Sequence, residues 1–179
     1  MVNKYYQSLN ALHFSMPMTT LAILIFAQAY LLTEGKAPSK IKITMILTAI
    51  VLVILMFFYY RNKLKIRKAL KNVQNIKEYE QGGMVNRSYI LEQRLLACNG
   101  LDIQEVQTKD VKELSLEEKN HGKYYLHLHC NDKIVIMSLL DKEDGQKVAS
   151  YFQKRNPNIV LTNIQPKGNG TLKELGAGV

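Results

Sequence analysis

The run Tyr124 to Cys130, YYLHLHC, places His127 and His129 two residues apart, hence on one face of a strand, a spacing that can hold a metal ion. His121 and Cys130 lie nearby. A strand phase that unites the two histidines turns Cys130 to the opposite face, and Asp132 belongs to the turn that follows. The plainer reading is a solvent-facing strand with ordinary histidines, so neither a metal nor another cofactor is expected. Cys98 and Cys130 fall on strand-like runs of what reads as a cytoplasmic domain, where reducing conditions disfavour a disulfide and leave two buried packing residues. The carboxylates Glu117, Glu118, Asp141, Glu143 and Asp144 read as solvated turn or helix-start residues. No Ser-His-Asp or Cys-His order sits in a recognisable motif. Gly82-Gly83 and Asn169-Gly170 lack the lysine and the strand-to-helix setting of a phosphate-cradling loop. Enzymatic activity is therefore not expected.

The chain concentrates its charge elsewhere. Arg61, Lys63, Lys65, Arg67, Lys68 and Lys71 are six basic residues among eleven, with no acid between them. Such a set attracts the anionic headgroups of a cytoplasmic leaflet non-specifically, at about 1 kcal/mol per basic residue. The plainer reading, and the favoured one, is a topology signal without lipid selectivity. Immediately before it, Ile43 to Tyr60 are eighteen residues without a charge. At about 1.5 Å rise per residue such a helix nearly matches a hydrocarbon core about 30 Å thick, with Tyr59 and Tyr60 as interfacial anchors. A buried core helix of a soluble protein is the competing reading, disfavoured because the segment is apolar on every face.

A second uncharged run, Met16 to Leu32, precedes it, and with Ala11 to Ser15 it is long enough to span, Pro17 standing in its first turn. Thr19, Thr20 and Gln28 are its polar members, available to the second helix or, for the two threonines, to their own backbone. A signal peptide has the same general form, but no small-residue cleavage site follows. The ten-residue connection Thr33 to Lys42, with Gly35 and Pro38 as breakers, makes the two helices antiparallel neighbours. Only Lys4 flanks the first helix, Lys36, Lys40 and Lys42 lie in the loop, and six basic residues follow the second helix. The positive-inside rule then puts both termini in the cytoplasm, in a multi-pass cell-membrane protein.

The net charge of +9 belongs almost wholly to this membrane region, because residues 72 to 179 carry fourteen basic and fourteen acidic side chains. Nucleic acid is accordingly not an expected partner. Leu64, Ala69, Leu70, Val73 and Ile76 recur at helical spacing and predict a basic juxtamembrane helix over 61–82, stopped at Gly82-Gly83. Short strand-like runs follow at Ser88 to Leu91, Arg94 to Cys98, Leu101 to Thr108, Val111 to Leu116, Tyr124 to Cys130 and Lys133 to Leu140, with Asn131-Asp132 as a two-residue hairpin turn. Asp141 is placed to cap a helix whose stripe is Val148, Ala149 and Phe152 and whose interior contains Gly145, a cost. Residues 161–179 read as a flexible tail, glycine-rich and without apolar period from Gln165 on.

The fold expected is α+β: a two-helix transmembrane hairpin within residues 1–60 (helices about 13–33 and 43–60), then a small antiparallel β-sheet or barrel domain over 83–160 with a C-terminal helix. The segments RSYILEQRLLACNG (Arg87 to Gly100), the strand opening at TKDVKEL, the YYLHLHC to KIVIMSLL hairpin and the DKEDGQKVASYFQKR helix follow one another as in bacterial PH-like domain membrane proteins of the YcxB-like group, which this chain resembles over roughly residues 84 to 156. The resemblance implies a barrel-like sheet capped by a helix and used for binding or assembly, and it carries over no functional residue. The expected function is a membrane-anchored, non-enzymatic protein whose cytoplasmic domain binds an unknown protein partner or itself. A small transporter or channel subunit, or an accessory membrane protein, is the alternative.

Overall fold

The computed structural model of the protein describes residues 2–34, 38–119 and 122–175. Two helices, α1 (Val2–Thr33) and α2 (Pro38–Lys71), open the chain, and both are long and apolar enough to cross a membrane. Proline begins α2 because its fixed φ suits the first helical position and its missing N–H leaves nothing unsatisfied there. Asn10 Nδ2 donates to the Tyr59 carbonyl (3.3 Å) and the Phe14 ring meets Tyr59 edge-on at 6.0 Å, so the start of α1 lies against the later part of α2, antiparallel.

Helix α1 begins near the N-terminus and not near residue 13, which places Pro17 inside it and not in its first turn. Around that break the Ser15 hydroxyl donates to the Leu12 carbonyl (3.1 Å) and the Thr20 hydroxyl to the Met16 carbonyl (2.9 Å), which keeps the polar groups beside the proline engaged within their own helix. Of the two roles open to Thr20, the bond to its own backbone is the one formed among the described residues. Gln28 Oε1 is buried without a hydrogen-bond partner among the described residues. Gly35 and Lys36 of the expected loop, His121 and residues 176–179 of the expected tail lie outside the described residues.

Contacts divide the chain into a unit Asn3–Lys68 and a second unit that comprises Val2 and the chain from Ala69 onward. The expected helix over 61–82 stops at Lys71. Asn72 and Val73 bond back three residues, Asn75 takes a left-handed φ of 47°, and a 3-10 turn follows over Ile76–Gln81. Val73 and Ile76 kept the apolar period, but the asparagines end the helix, since Asn adopts the left-handed region that terminates one.

The domain contains two four-stranded sheets where a single meander was expected. The first runs β1 (Gly83–Val85), β2 (Ser88–Ile90), β3 (Arg94–Asn99) and β4 (Asp102–Gln107), all antiparallel. In the second, β5 (Val111–Lys119), β6 (Lys123–Cys130) and β7 (Ile134–Leu139) are antiparallel, and β8 (Val160–Thr162) adds to β5 in parallel. The sheets meet where the Ser138 hydroxyl on β7 donates to the Cys98 carbonyl on β3 (3.0 Å) and Asn86 Nδ2 to the Ser138 carbonyl (3.2 Å). Helix α3 (Lys142–Arg155) follows β7, with Asp141 accepting from the Asp144 N–H at 2.8 Å as its cap.

Leu95, Ala97 and Val106 from the first sheet, Leu114, Leu126, Leu128 and Met137 from the second, and Val148, Ala149 and Phe152 from α3 share one buried core. A Cβ on Gly145 would stand 3.0 Å from Leu139 Cδ1 and 3.1 Å from Leu116 Cδ1, so the glycine that looked like a cost lets α3 approach the sheet closely. The expected flexible tail is also corrected. Residues 160–162 form β8, Ile164 and Leu175 are buried in the core, and Leu172–Leu175 is a 3-10 turn.

Candidate functional site

Two groups of side chains stand out by type, and the fold places each differently. The first is the basic set on the last turns of α2. At about 100° of rotation per residue, Arg61, Lys63, Lys65, Arg67, Lys68 and Lys71 spread over an arc of about 200°. Ile66 and Leu70 occupy the complementary side and are buried, whereas Arg61, Lys65, Arg67, Lys68 and Lys71 are exposed. Lys63 is half-buried, its ammonium 5.8 Å from the centre of the Tyr59 ring, where the ring's negative face favours a cation. No acidic residue occurs between Glu34 and Glu78. Arg61, Arg67, Lys68 and Lys71 form no ion pair among the described residues.

The second group is the outer face of the β5–β6 pair. The strand phase read from the sequence holds: Leu126 and Leu128 are buried, and Tyr125, His127 and His129 point the other way. Each histidine has a partner. His127 Nε2 meets Glu117 Oε2 at 2.8 Å, and His129 Nε2 meets the Ser115 hydroxyl at 3.1 Å. That first contact holds the Glu117 carboxyl below the usual carboxylate range, since a bound proton would compete with the donor from His127. Glu117 and Glu118 lie on β5, not in a turn, because that strand runs on to Lys119. No group of three or more His, Cys, Asp or Glu side chains converges as a metal site among the described residues. Ser115 and Glu117 contact different imidazoles, so hydroxyl, imidazole and carboxylate are not strung in one relay.

Cys98 is fully buried and its thiol is pushed up to about 11 by desolvation, a chemically quiet position. Cys130 is half-buried, and burial raises it too.

Sequence reasoning missed a polar cluster that fixes the connector after α2. Arg94 on β3 pairs with Glu78 and, at 3.5 Å, with Glu105, and donates to the Gln74 carbonyl at 2.9 Å. Glu105 accepts from the Tyr79 hydroxyl (2.8 Å) and from the Gln74 N–H (3.0 Å). Burial, then the bond to Glu105, drives the Tyr79 hydroxyl far above its ordinary pKa. The available signal was the single charge of Arg94 at the head of the apolar run LLAC. No family model, curated protein or solved structure matches the chain.

Proposed function

We propose that this chain is a membrane-anchored, non-enzymatic protein whose PH-like domain mediates protein interaction or assembly at the inner face of the membrane. The observation that carries this reading is the continuity of α2: one unbroken helix takes eighteen uncharged residues directly into the six basic ones. With α1 before it, the positive-inside rule puts both termini and the sheet domain in the cytoplasm. Support for a protein partner, or a second copy, comes from the outer face of the second sheet. There Ile134, His129, Glu113 and Val160 lie in one cross-strand row, its two ends exposed aliphatic side chains. Two successive antiparallel meanders, β1 to β4 and β5 to β7, followed by α3, support the PH-like reading. Arg61, Lys63, Lys65, Arg67, Lys68 and Lys71 would meet anionic headgroups without selecting one lipid.

The test is topological. A reporter fused at Val179 should be active only in its cytoplasmic form, and a cysteine at Ser39, an exposed position early in α2, should react with an impermeant thiol reagent from outside. An exported C-terminus with an unlabelled Ser39 site would overturn the hairpin orientation and the cytoplasmic placement of the domain together.

A further inference from the structure

An open cleft of about 620 Å³ in the sheet domain brings together side chains that no part of the proposed function uses. Its walls are the turn holding Glu92 and Gln93, the corner at Gln107 and Lys109, and the end of α3 with Lys154 and Arg155. These walls are bolted to one another. The Thr108 N–H donates to the Gln93 carbonyl (2.9 Å), Arg155 Nε to the Glu92 carbonyl (3.0 Å), and the Tyr151 hydroxyl to the Leu91 carbonyl.

Arg155 is the fixed point. Its guanidinium lies 3.8 Å from the centre of the Tyr151 ring, and Nη1 donates to the carbonyls of Tyr151 (3.3 Å) and Gly170 (3.1 Å). Among the described residues Lys154 Nζ reaches only the Asn169 carbonyl, at 3.4 Å. Carbonyl dipoles solvate a cation without cancelling its charge, and none of Lys109, Lys154 and Arg155 forms an ion pair among the described residues. Two of the three complement the negative end of the α3 dipole, which accounts for their presence there. Lys109 comes from a different element, and its convergence has no such account. Against three cations the cleft sets one carboxylate, Glu92.

We propose that this cleft binds a compact phosphate-bearing anion, held by the Nη2 group of Arg155, which has no partner among the described residues, and by the ammonium groups of Lys109 and Lys154. The two remaining N–H groups, both on Nη2 of a guanidinium already held in place, donate to phosphate oxygen with little ordering cost, and the two lysines supply charge from the other walls. The volume falls in the range of small-molecule sites and excludes nothing of the size of a diphosphate or a phosphomonoester headgroup.

Isothermal titration of the full chain in neutral detergent at low salt, with inorganic pyrophosphate as the probe, tests this. The expected result is saturable binding of one pyrophosphate per chain, weakened tenfold or more in the Lys109→Gln/Lys154→Gln double variant, whose exposed side chains leave the core intact. Arg155→Lys, which keeps the charge and removes the fixed Nη2 donors, should weaken it as well. The variant Lys65→Gln/Arg67→Gln/Lys68→Gln/Lys71→Gln should bind as the parent does. No saturable binding, or binding that survives in the double variant and vanishes when the α2 charges are removed, overturns the proposal. To separate sources, the chain is placed in phosphatidylcholine nanodiscs with and without phosphatidic acid. Loss of pyrophosphate binding in the phosphatidic acid discs assigns the cleft to a lipid headgroup, and unchanged binding assigns it to a free phosphate compound.

Discussion

Leu128 and His127 are neighbours in β6 with opposite surroundings, and the difference gives the sharpest expectation at the scale of single residues. Leu128 sits in the shared core, so Leu128→Asp buries a carboxylate with no partner and should cost about 4 kcal/mol or more, enough to unfold the domain in a urea titration. His127→Ser removes a contact to a solvent-exposed carboxylate, and the urea midpoint should barely move. Equal damage from the two would mean that the strand phase is wrong. Cys98 gives a pH-dependent expectation. Its folded thiol is pushed up to about 11, whereas an unfolded thiol ionises near 8.5. The unfolded state therefore sheds the proton first, and the stability this residue contributes is complete below about pH 8.5 and falls as the pH rises toward 11. Thermal melts of the parent between pH 8 and 10 should drop more steeply than those of Cys98→Ala, and iodoacetamide at pH 8 should leave Cys98 unmodified until the protein is unfolded. An equal slope in both proteins would show that the thiol does not titrate on unfolding. The alternation along YYLHLHC was legible because a period of two reports which face a residue takes. The pairing of His127 with Glu117 was not, since it depends on a register between two strands that no local pattern states.

Among the elements, the hairpin, the strands from Ser88 to Leu139 and α3 could be read from the chain, because each carries its own periodicity, turn or cap. Strand β8 could not. Three residues, Val160–Thr162, have no period of their own, and they become a strand only because the parallel edge of β5 accepts them from 45 or more positions away in sequence. The same holds for the segment after it, whose glycines resemble a disordered tail. Gly170 has a φ of +64°, and a Cβ there would stand 2.5 Å from the Ser150 carbonyl oxygen, so this glycine is an adaptation to a close approach of two backbones. Gly170→Ala should therefore destabilise the domain by about 1–3 kcal/mol, as overpacking against an immovable neighbour does, measured by urea unfolding. In a tail that hangs free, the substitution would be silent or slightly stabilising. A fragment of residues 72–175 should give a cooperative melt, whereas 84–160 discards most of β8, the buried Ile164 and Leu175, and Tyr79 with its bond to Glu105, and should not. Cooperative melting of the shorter fragment would return the tail to the status of an appendage.

At the scale of the whole molecule, charge and apolar surface divide the chain more sharply than topology does. Ile43, Ile46, Leu47, Ile50, Val53 and Phe57 of α2 are exposed, a surface that water does not tolerate at this length and that lipid does. The basic turns follow directly on the same helix, and there the two readings of Arg61 to Lys71 part company. If the exposed ammonium and guanidinium groups lie along an anionic leaflet, a peptide of residues 61–71 should bind phosphatidylglycerol vesicles and leave phosphatidylcholine vesicles alone. Raising the salt from 0.1 M to 1 M shortens the screening length from about 10 Å to about 3 Å, so that binding should fall steeply. In the full chain, Gln at Lys65, Arg67, Lys68 and Lys71 removes the exposed charges farthest from the span and keeps Arg61 and Lys63 beside it. Lipid contact predicts that this variant inserts with its C-terminus on the same side and that its peptide loses anionic-vesicle binding. A topology signal predicts instead a fraction of molecules with the C-terminus exported, because the three lysines at 36, 40 and 42 then outnumber the two basic residues left after α2's apolar run. Vesicle binding that survives the four substitutions would remove the lipid role, whichever way the chain inserts.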